Sequence, residues 1–335
     1  MPEAALVPII GGGPAGMSCA LWLHNYGFRP LIIEREDGLG GLAGRNPYRN
    51  DWLLGRPGLT GRQHAQEFVR HVQQTAVETW LGARPRRLAR MPDGRFAFDI
   101  QFSDQRPPQS LSCFAMVLAA GTRFRGEEWL DQVRNARRLA AAGRVHLGPP
   151  YVGEPGVNLG SHVAVIGGGD NAFDVSRMLV EKGVRPTVVM RANEPKGQPL
   201  LVERLRRHAS SGKAEILAGR TVEGLEEAGT RVRVRLGGGG EFEVDHVVLL
   251  LGYRPNTDEP WLAALALEED AHGYLIVDGN KETSCRGVFA VGDVSNPVHP
   301  CIVTALASGT MAAREIQKRN AGYRRTLALM PDGGG

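Results

Sequence analysis

The stretch from Leu6 to Glu34 constrains the fold more than any other part of the chain. An apolar run, Leu6-Val7-Pro8-Ile9-Ile10, enters Gly11-Gly12-Gly13-Pro14-Ala15-Gly16. A helical segment, Met17 to Tyr26, follows and is closed by Gly27; a second apolar run, Leu31-Ile32-Ile33, ends on Glu34. Strand, glycine turn, helix, strand and acid in that order form a dinucleotide-binding unit. Gly11 serves the tight turn, Gly13 the approach of a pyrophosphate, and Gly16 close packing of helix on strand. Pro14 suits the first helical turn, where a missing N–H costs nothing. Free N–H groups and the helix dipole attract phosphate there. Glu34 is placed to accept hydrogen bonds from ribose hydroxyls. The alternative, a glycine-rich loop that binds nothing, does not account for the ordered sequence of all four parts.

The unit recurs. Val163-Ala164-Val165-Ile166 enters Gly167-Gly168-Gly169-Asp170-Asn171-Ala172, a helix runs to Lys182, Gly183 stops it, and Thr187 to Met190 is a strand. Ala172 holds the third glycine position, which the motif tolerates. Two copies suggest two nucleotide-binding domains of related fold, unless the second is a decayed structural copy. Between them, Gly38 to Leu42 is a flexible turn, and Thr60-Gly61-Arg62-Gln63 is a capping box opening a helix expected through about Trp80. Phe96, Phe98, Ile100 and Phe102 alternate along a strand, and Phe114 to Ala120 is an apolar strand ending at Gly121-Thr122. Later come a hairpin at Gly237–Gly240, a buried strand Val247–Leu251 before Gly252, and a short strand ending in Gly292-Asp293. Thr304 to Lys318 is an amphipathic helix, which Gly322 is expected to end, leaving a tail.

A chain of 335 residues holds about two domains. No apolar stretch is long enough to span a bilayer, and the N-terminus lacks a signal-type segment, so a cytoplasmic location is expected and no membrane partner. The net charge of +4 is small and mostly arginine. The clusters Arg84–Arg95, Arg134–Arg144 and Arg314–Arg325 suit solvated faces or a surface for an acidic protein. Nothing resembles a nucleic-acid module. Cys19, Cys113, Cys285 and Cys301 form no C-x-x-C pair, which argues against a disulfide framework, a metal site and a local dithiol.

Taken in chain order, the two glycine turns, Ala119-Ala120-Gly121-Thr122, Gly252-Tyr253-Arg254-Pro255-Asn256 and Gly292-Asp293 resemble the low-molecular-weight thioredoxin reductase family of flavoproteins over nearly the whole chain. The resemblance implies an α/β fold of two Rossmann-like domains, one for FAD and one for NAD(P)H, the second inserted into the first. Its boundaries are 1–124 and 253–321 for FAD, 125–252 for NAD(P)H, and 322–335 for a C-terminal tail. By resemblance, FAD takes Gly11, Gly13, Pro14, Ala15, Gly16, Glu34, Arg35, Gly40, Gly41, Leu42, Gly121, Gly292, Asp293, Cys301, Ile302 and Thr304. NADPH takes Gly167, Gly169, Asp170, Asn171, Ala172, Arg191, Lys196 and Gly252.

Three departures qualify that resemblance. The family carries C-x-x-C before the second glycine turn, whereas His146 to Gly153 contains no cysteine. This stretch is more similar to ferredoxin–NADP reductases of the same fold, and it argues against direct thioredoxin reduction. The family's 2′-phosphate arginines are reduced to Arg191 and Lys196, yet no acid stands at that strand end, which leans to NADPH with NADH as the alternative. Beside the flavin, Cys301 stands where a polar residue is usual, and a helix N-terminus there would stabilise reduced flavin and lower a thiol pKa. His299 is a weaker candidate for delivering a proton.

The expected enzyme is an FAD-dependent NAD(P)H oxidoreductase, a homodimer by resemblance, with hydride passing from nicotinamide to flavin and onward to ferredoxin, flavodoxin or an iron–sulfur enzyme. Reduction of a small disulfide or other small oxidant through Cys301 is one alternative. A non-catalytic flavin-bound partner protein is the other. Tyr323, in the expected tail, is a candidate to stack on the flavin.

Overall fold

A computed structural model describes residues 5–149 and 158–329, with backbone alone from 321 onward. The chain divides into two compact units, Met1–Arg123 with Arg254–Gly335, and Phe124–Tyr253. The second is thus an insertion in the first. The chain leaves along Thr122–Phe124 and returns along Tyr253–Pro255, and these two strands form a ribbon.

The discontinuous unit is built on a five-stranded parallel sheet in the order Val288–Ala290, Met116–Leu118, Leu6–Ile10, Arg29–Ile33, Glu78–Trp80. Its inner strands are almost wholly apolar, as strands covered on both faces are, whereas the edge strand Glu78–Trp80 is more polar and more exposed. Val7, Ile9, Ile32, Val117 and Phe289 point to one core, shared with Met17, Leu23 and Ile316 of the helices Pro14–Asn25 and Ile302–Leu329. Their neighbours Ile10, Leu31, Ile33, Met116 and Leu118 point to the other. There they meet a three-stranded antiparallel sheet (Ala83–Arg90, Phe96–Phe102, Gln109–Cys113), whose Phe96, Phe98, Ile100 and Phe102 face inward as their alternation predicts.

The inserted unit repeats the plan: a parallel sheet ordered Glu215–Ala218, Arg185–Met190, His162–Ile166, His246–Leu249, Val145–Leu147, and an antiparallel sheet of Val222–Ala228, Arg231–Leu236 and Glu241–Val244. Leu6 faces Arg29 and His162 faces Arg185, so the two glycine-turn units have the same register. Three of the four arginines of Arg134–Arg144 are ion-paired, Arg134 to Glu226, Arg137 to Glu127 and Asp131, and Arg138 to Glu227. That favours a solvated face over a docking surface at this cluster.

Two expectations are corrected. The helix capped by Thr60 ends at Gln73, not near Trp80. Thr75 Oγ1 donates to Val72 O at 2.6 Å and accepts the Val77 N–H at 3.3 Å, which turns the chain out of the helix. Glu78–Trp80 then pairs with Leu31–Ile33 as a strand. The last helix does not stop at Gly322 but continues from Ile302 to Leu329. One interior glycine costs about 1 kcal/mol, and the surrounding Ala321, Arg324, Arg325, Leu327 and Ala328 are good helix formers that outweigh it. Residues 150–157 and 330–335, including part of the stretch without C-x-x-C and the terminal glycines, lie outside the described residues.

Candidate functional site

In each unit the candidate residues gather at the carboxyl ends of the parallel strands, where open α/β sheets bind ligands. In the discontinuous unit Gly11 has φ +113, and a Cβ there would collide with the Ala119 carbonyl. A Cβ on Gly16 would collide with Gly11 O, so the helix sits directly on the turn. Gly13 differs. Its φ of −73 and ψ of −179 are ordinary extended backbone, and the nearest atom to a Cβ is Gly41 Cα at 4.0 Å. The space beside it is open at the N-terminus of Pro14–Asn25, as a phosphate cradle requires.

Glu34 is buried and holds this turn. Gly12 N–H donates to its Oε2 at 2.7 Å and Glu36 N–H to its Oε1 at 3.0 Å. A carboxylate has about four acceptor positions, so capacity for two hydroxyl donors is left. Gly40 N–H reaches Gly12 O at 2.9 Å, bringing Gly40, Gly41 and Leu42 against the first turn. Arg35 is exposed and ion-pairs with Glu36 at 3.4 Å and Glu259 at 3.8 Å. Gly121 follows the strand Met116–Leu118 with φ +63.

Gly292, φ +73, packs against Ala15, and its N–H donates to Ser308 Oγ at 2.8 Å. Asp293 is half-buried and its carboxyl has no hydrogen bond or ion pair among the described residues; desolvation pushes that carboxyl up to about 6. The following segment closes on the helix Ile302–Leu329. Cys301 precedes that helix and caps it: its Sγ accepts the Thr304 N–H at 3.5 Å, and its own N–H donates to Thr304 Oγ1 at 3.3 Å. The Cys301 N–H is therefore engaged within the cap. Those of Ile302 and Val303 have no acceptor among the described residues and point out of the helix start. Asn296 Nδ2 donates to His299 O at 2.9 Å and Thr304 Oγ1 at 3.1 Å, and the His299 ring is exposed.

In the inserted unit a Cβ on Gly167, φ +151, would collide with Leu250 O, the counterpart of Gly11 on Ala119. Gly169 has nothing within 4 Å of a Cβ, the counterpart of Gly13, and Ala172 is fully buried. Asp170 Oδ1 accepts the Gln198 N–H at 2.6 Å, and Asn171 Nδ2 donates to the Tyr253 hydroxyl at 3.0 Å, beside Gly252. Lys196 N–H reaches Gly168 O at 2.8 Å, which fixes the loop after the second strand on the glycine turn. Arg191 and Lys196 are exposed, and neither side chain has an acceptor among the described residues.

A model of the pyridine nucleotide-disulphide oxidoreductase family matches residues 6–314. The chain belongs to that family. This oxidoreductase is accordingly an FAD-dependent NAD(P)H enzyme. It is 26% identical over 332 residues to a glucosaminate ammonia-lyase of Pseudomonas fluorescens, covering 93% of this chain and 94% of that one. To a ferredoxin–NADP reductase of Ignicoccus hospitalis it is 27% identical over 314 residues, covering 91% and 94%. Among solved structures, a thioredoxin reductase of T. acidophilum superposes with a TM-score of 0.78 at 22% identity, covering 96% of this chain and 100% of that one, which bears out the fold. No helix among the described residues is long and apolar enough to cross a membrane.

A cluster around Asn256 supports the turn at Gly121. Asn256, buried, donates from Nδ2 to Ala120 O at 2.7 Å, accepts from Arg123 at 2.9 Å, and gives its N–H to Gly121 O at 3.0 Å. Arg123 also pairs with Asp258. These residues hold the turn at Gly121; the only signal for them was the asparagine ending Gly252-Tyr253-Arg254-Pro255-Asn256.

Proposed function

We propose that this oxidoreductase carries electrons from NADPH through FAD to an external redox protein of ferredoxin or flavodoxin type, an iron–sulfur enzyme being the related case. The cysteines carry this reading. Cys19 and Cys113 are buried, and burial pushes both thiols up, Cys113 to about 12. Cys285 is also raised by desolvation, and Cys301 is spent on a helix cap. No two of them form a pair for disulfide exchange, which supports an outside acceptor. The ferredoxin–NADP reductase among its relatives supports the same direction.

On this reading the FAD domain spans 1–124 and 253–321 and the NADPH domain 125–252, in a homodimer. Gly11, Gly13 and Gly16 admit the FAD pyrophosphate, Glu34 holds ribose hydroxyls, and Asp293 binds a hydroxyl while its raised pKa lets it keep a proton near pH 6. The free N–H groups of Ile302 and Val303 favour negative charge on the flavin edge. Gly167 and Gly169 cradle NADPH, and Arg191 with Lys196 takes its 2′-phosphate. Bound FAD supplies the exchange between two-electron and one-electron transfer that no side chain offers.

Anaerobic titration with NADPH, followed by an acceptor screen, tests this. NADPH should bleach the visible flavin band, and ferredoxin or flavodoxin should reoxidise it faster than thioredoxin. Absence of bleaching would return the chain to a non-catalytic role. Rapid thioredoxin turnover would overturn the acceptor class. A second reading, reduction of a small disulfide, draws on Cys301, half-buried at the start of the last helix. Turnover of such a disulfide that disappears in Cys301→Ser would establish it.

A further inference from the structure

Between Asp293 and the last helix the chain closes a loop, 296–304. Pro297, Val298, His299 and Pro300 are all exposed, and the two prolines bring no N–H. No buried side chain shapes this stretch. One amide does so instead. Asn296 Nδ2 donates to His299 O at 2.9 Å and to Thr304 Oγ1 at 3.1 Å, and Asn296 Oδ1 accepts the His299 N–H at 3.3 Å. Most of the hydrogen-bonding capacity of a primary amide is thus spent within one loop.

The Thr304 hydroxyl closes the ring. It lies 2.9 Å from His299 O and 3.1 Å from Cys301 O, and it accepts the Cys301 N–H at 3.3 Å. On the other side the backbone N–H of Asn296 donates to Asp293 O at 3.3 Å, and Ser295 Oγ donates to Ala290 O at 3.0 Å. Asn296 therefore stands between two parts of the candidate site: Asp293, and the helix start where the Ile302 and Val303 N–H groups are free. The first turn of a helix frays unless it is tied to something outside itself. Here the tie is Asn296.

We propose that Asn296 is a positioning residue for the flavin: by fixing His299 to Thr304 it holds the Ile302 and Val303 N–H groups at the flavin edge and so raises the reduction potential of bound FAD. The proposal rests on the flavin-edge reading above and deepens it by naming what holds the donors. Transfer of a hydride from NADPH, which leaves as NADP+, adds negative charge to the flavin. Donors already fixed in place stabilise that charge without reorganising, whereas a loose helix start forfeits part of the gain. Asn296 acts through the helix start alone.

The test uses the holoenzyme and reads the midpoint potential of its flavin anaerobically against reference dyes. Asn296→Ala removes all three side-chain bonds. Asn296→Ser leaves a hydroxyl that accepts the His299 N–H and keeps the local turn, but its single hydrogen cannot serve both His299 O and Thr304. In both variants the preference for reduced over oxidised FAD should fall about three- to tenfold, which is about 15–30 mV for a two-electron couple. Asn296→Ser should melt at the parent temperature. Ile302→Pro probes the underlying reading, because proline suits the first helical position and deletes one of the N–H groups; it too should lower the potential. Parent potential in Asn296→Ser, with a lowered one in Ile302→Pro, overturns the positioning role alone. So does loss of FAD or of thermal stability in Asn296→Ala with Asn296→Ser at the parent potential, which marks a residue that only shapes the loop. Parent potential in Ile302→Pro overturns the flavin-edge reading, and the proposal with it.

Discussion

Gly13 and Gly16 stand three residues apart in one turn, and the structure assigns them opposite consequences on substitution. At Gly13 the backbone is ordinary extended chain, and an added Cβ meets only Gly41 Cα at 4.0 Å. Alanine at this helix N-cap costs about 0.5–1 kcal/mol. Restricting the unfolded chain returns about 0.4–1 kcal/mol. The stability of Gly13→Ala should therefore stay within about 1 kcal/mol of the parent, or a shift of about 2–4 °C in melting temperature. The same methyl occupies the mouth of the phosphate cradle. Loss of one charge-assisted hydrogen bond of about 1.5–3 kcal/mol raises the Kd for FAD roughly ten- to hundredfold. At Gly16 the methyl collides with Gly11 O and lies 3.2 Å from Ala119 Cβ, so helix and strand must separate. Such overpacking costs about 1–3 kcal/mol or more, and Gly16→Ala should lose stability and FAD together. The assay is thermal unfolding of flavin-stripped protein by circular dichroism, beside FAD titration by flavin fluorescence. Gly13→Ala with parent affinity for FAD would refute the cradle. Gly13→Ala as unstable as Gly16→Ala would refute the steric argument.

Arg191→Ala should weaken NADPH binding about tenfold and leave NADH binding within about twofold, since one charged hydrogen bond is worth about 1.5 kcal/mol or more; equal losses for both coenzymes would remove Arg191 from the 2′-phosphate. Asp293 has its folded pKa raised to about 6, so the folded state binds the proton more tightly than the unfolded state does. Its ionisation therefore destabilises the flavin-free protein above pH 6, and this penalty fades as pH falls toward 4. Asp293→Asn should be more stable than the parent at pH 7, by up to about 3 kcal/mol, and equal to it near pH 4; chemical denaturation at both values checks the sign. Asn256→Ala should cost about 1–3 kcal/mol by freeing Ala120 O and the Arg123 partner, and urea unfolding measures it.

The sequence by itself determined the two glycine-turn units, because strand, turn, helix and strand lie within about thirty residues of one another and their requirements are local. Phe96 through Phe102 announces which face is buried through a period of two that needs no knowledge of distant chain. The Thr60 capping box was legible for the same reason. The extent of the helix behind it was not, since Glu78–Trp80 becomes a strand only by pairing with Leu31–Ile33, far earlier in the chain. Strand order, with Val288–Ala290 beside Met116–Leu118, likewise needed the tertiary structure. At the candidate site, the spacing of Gly11, Gly13, Gly16 and Glu34 pointed to a cradle, but only the folded chain showed Glu34 already gripping Gly12 and Glu36. Cys301 in sequence is a thiol of open purpose; in the fold it caps a helix, because Thr304 returns to it across one turn. Asn256 lies more than a hundred residues from the Ala120 and Gly121 it holds. Hydrogen bonds of that span leave no periodic trace in a sequence, so their partners emerge only when folding brings the two segments together.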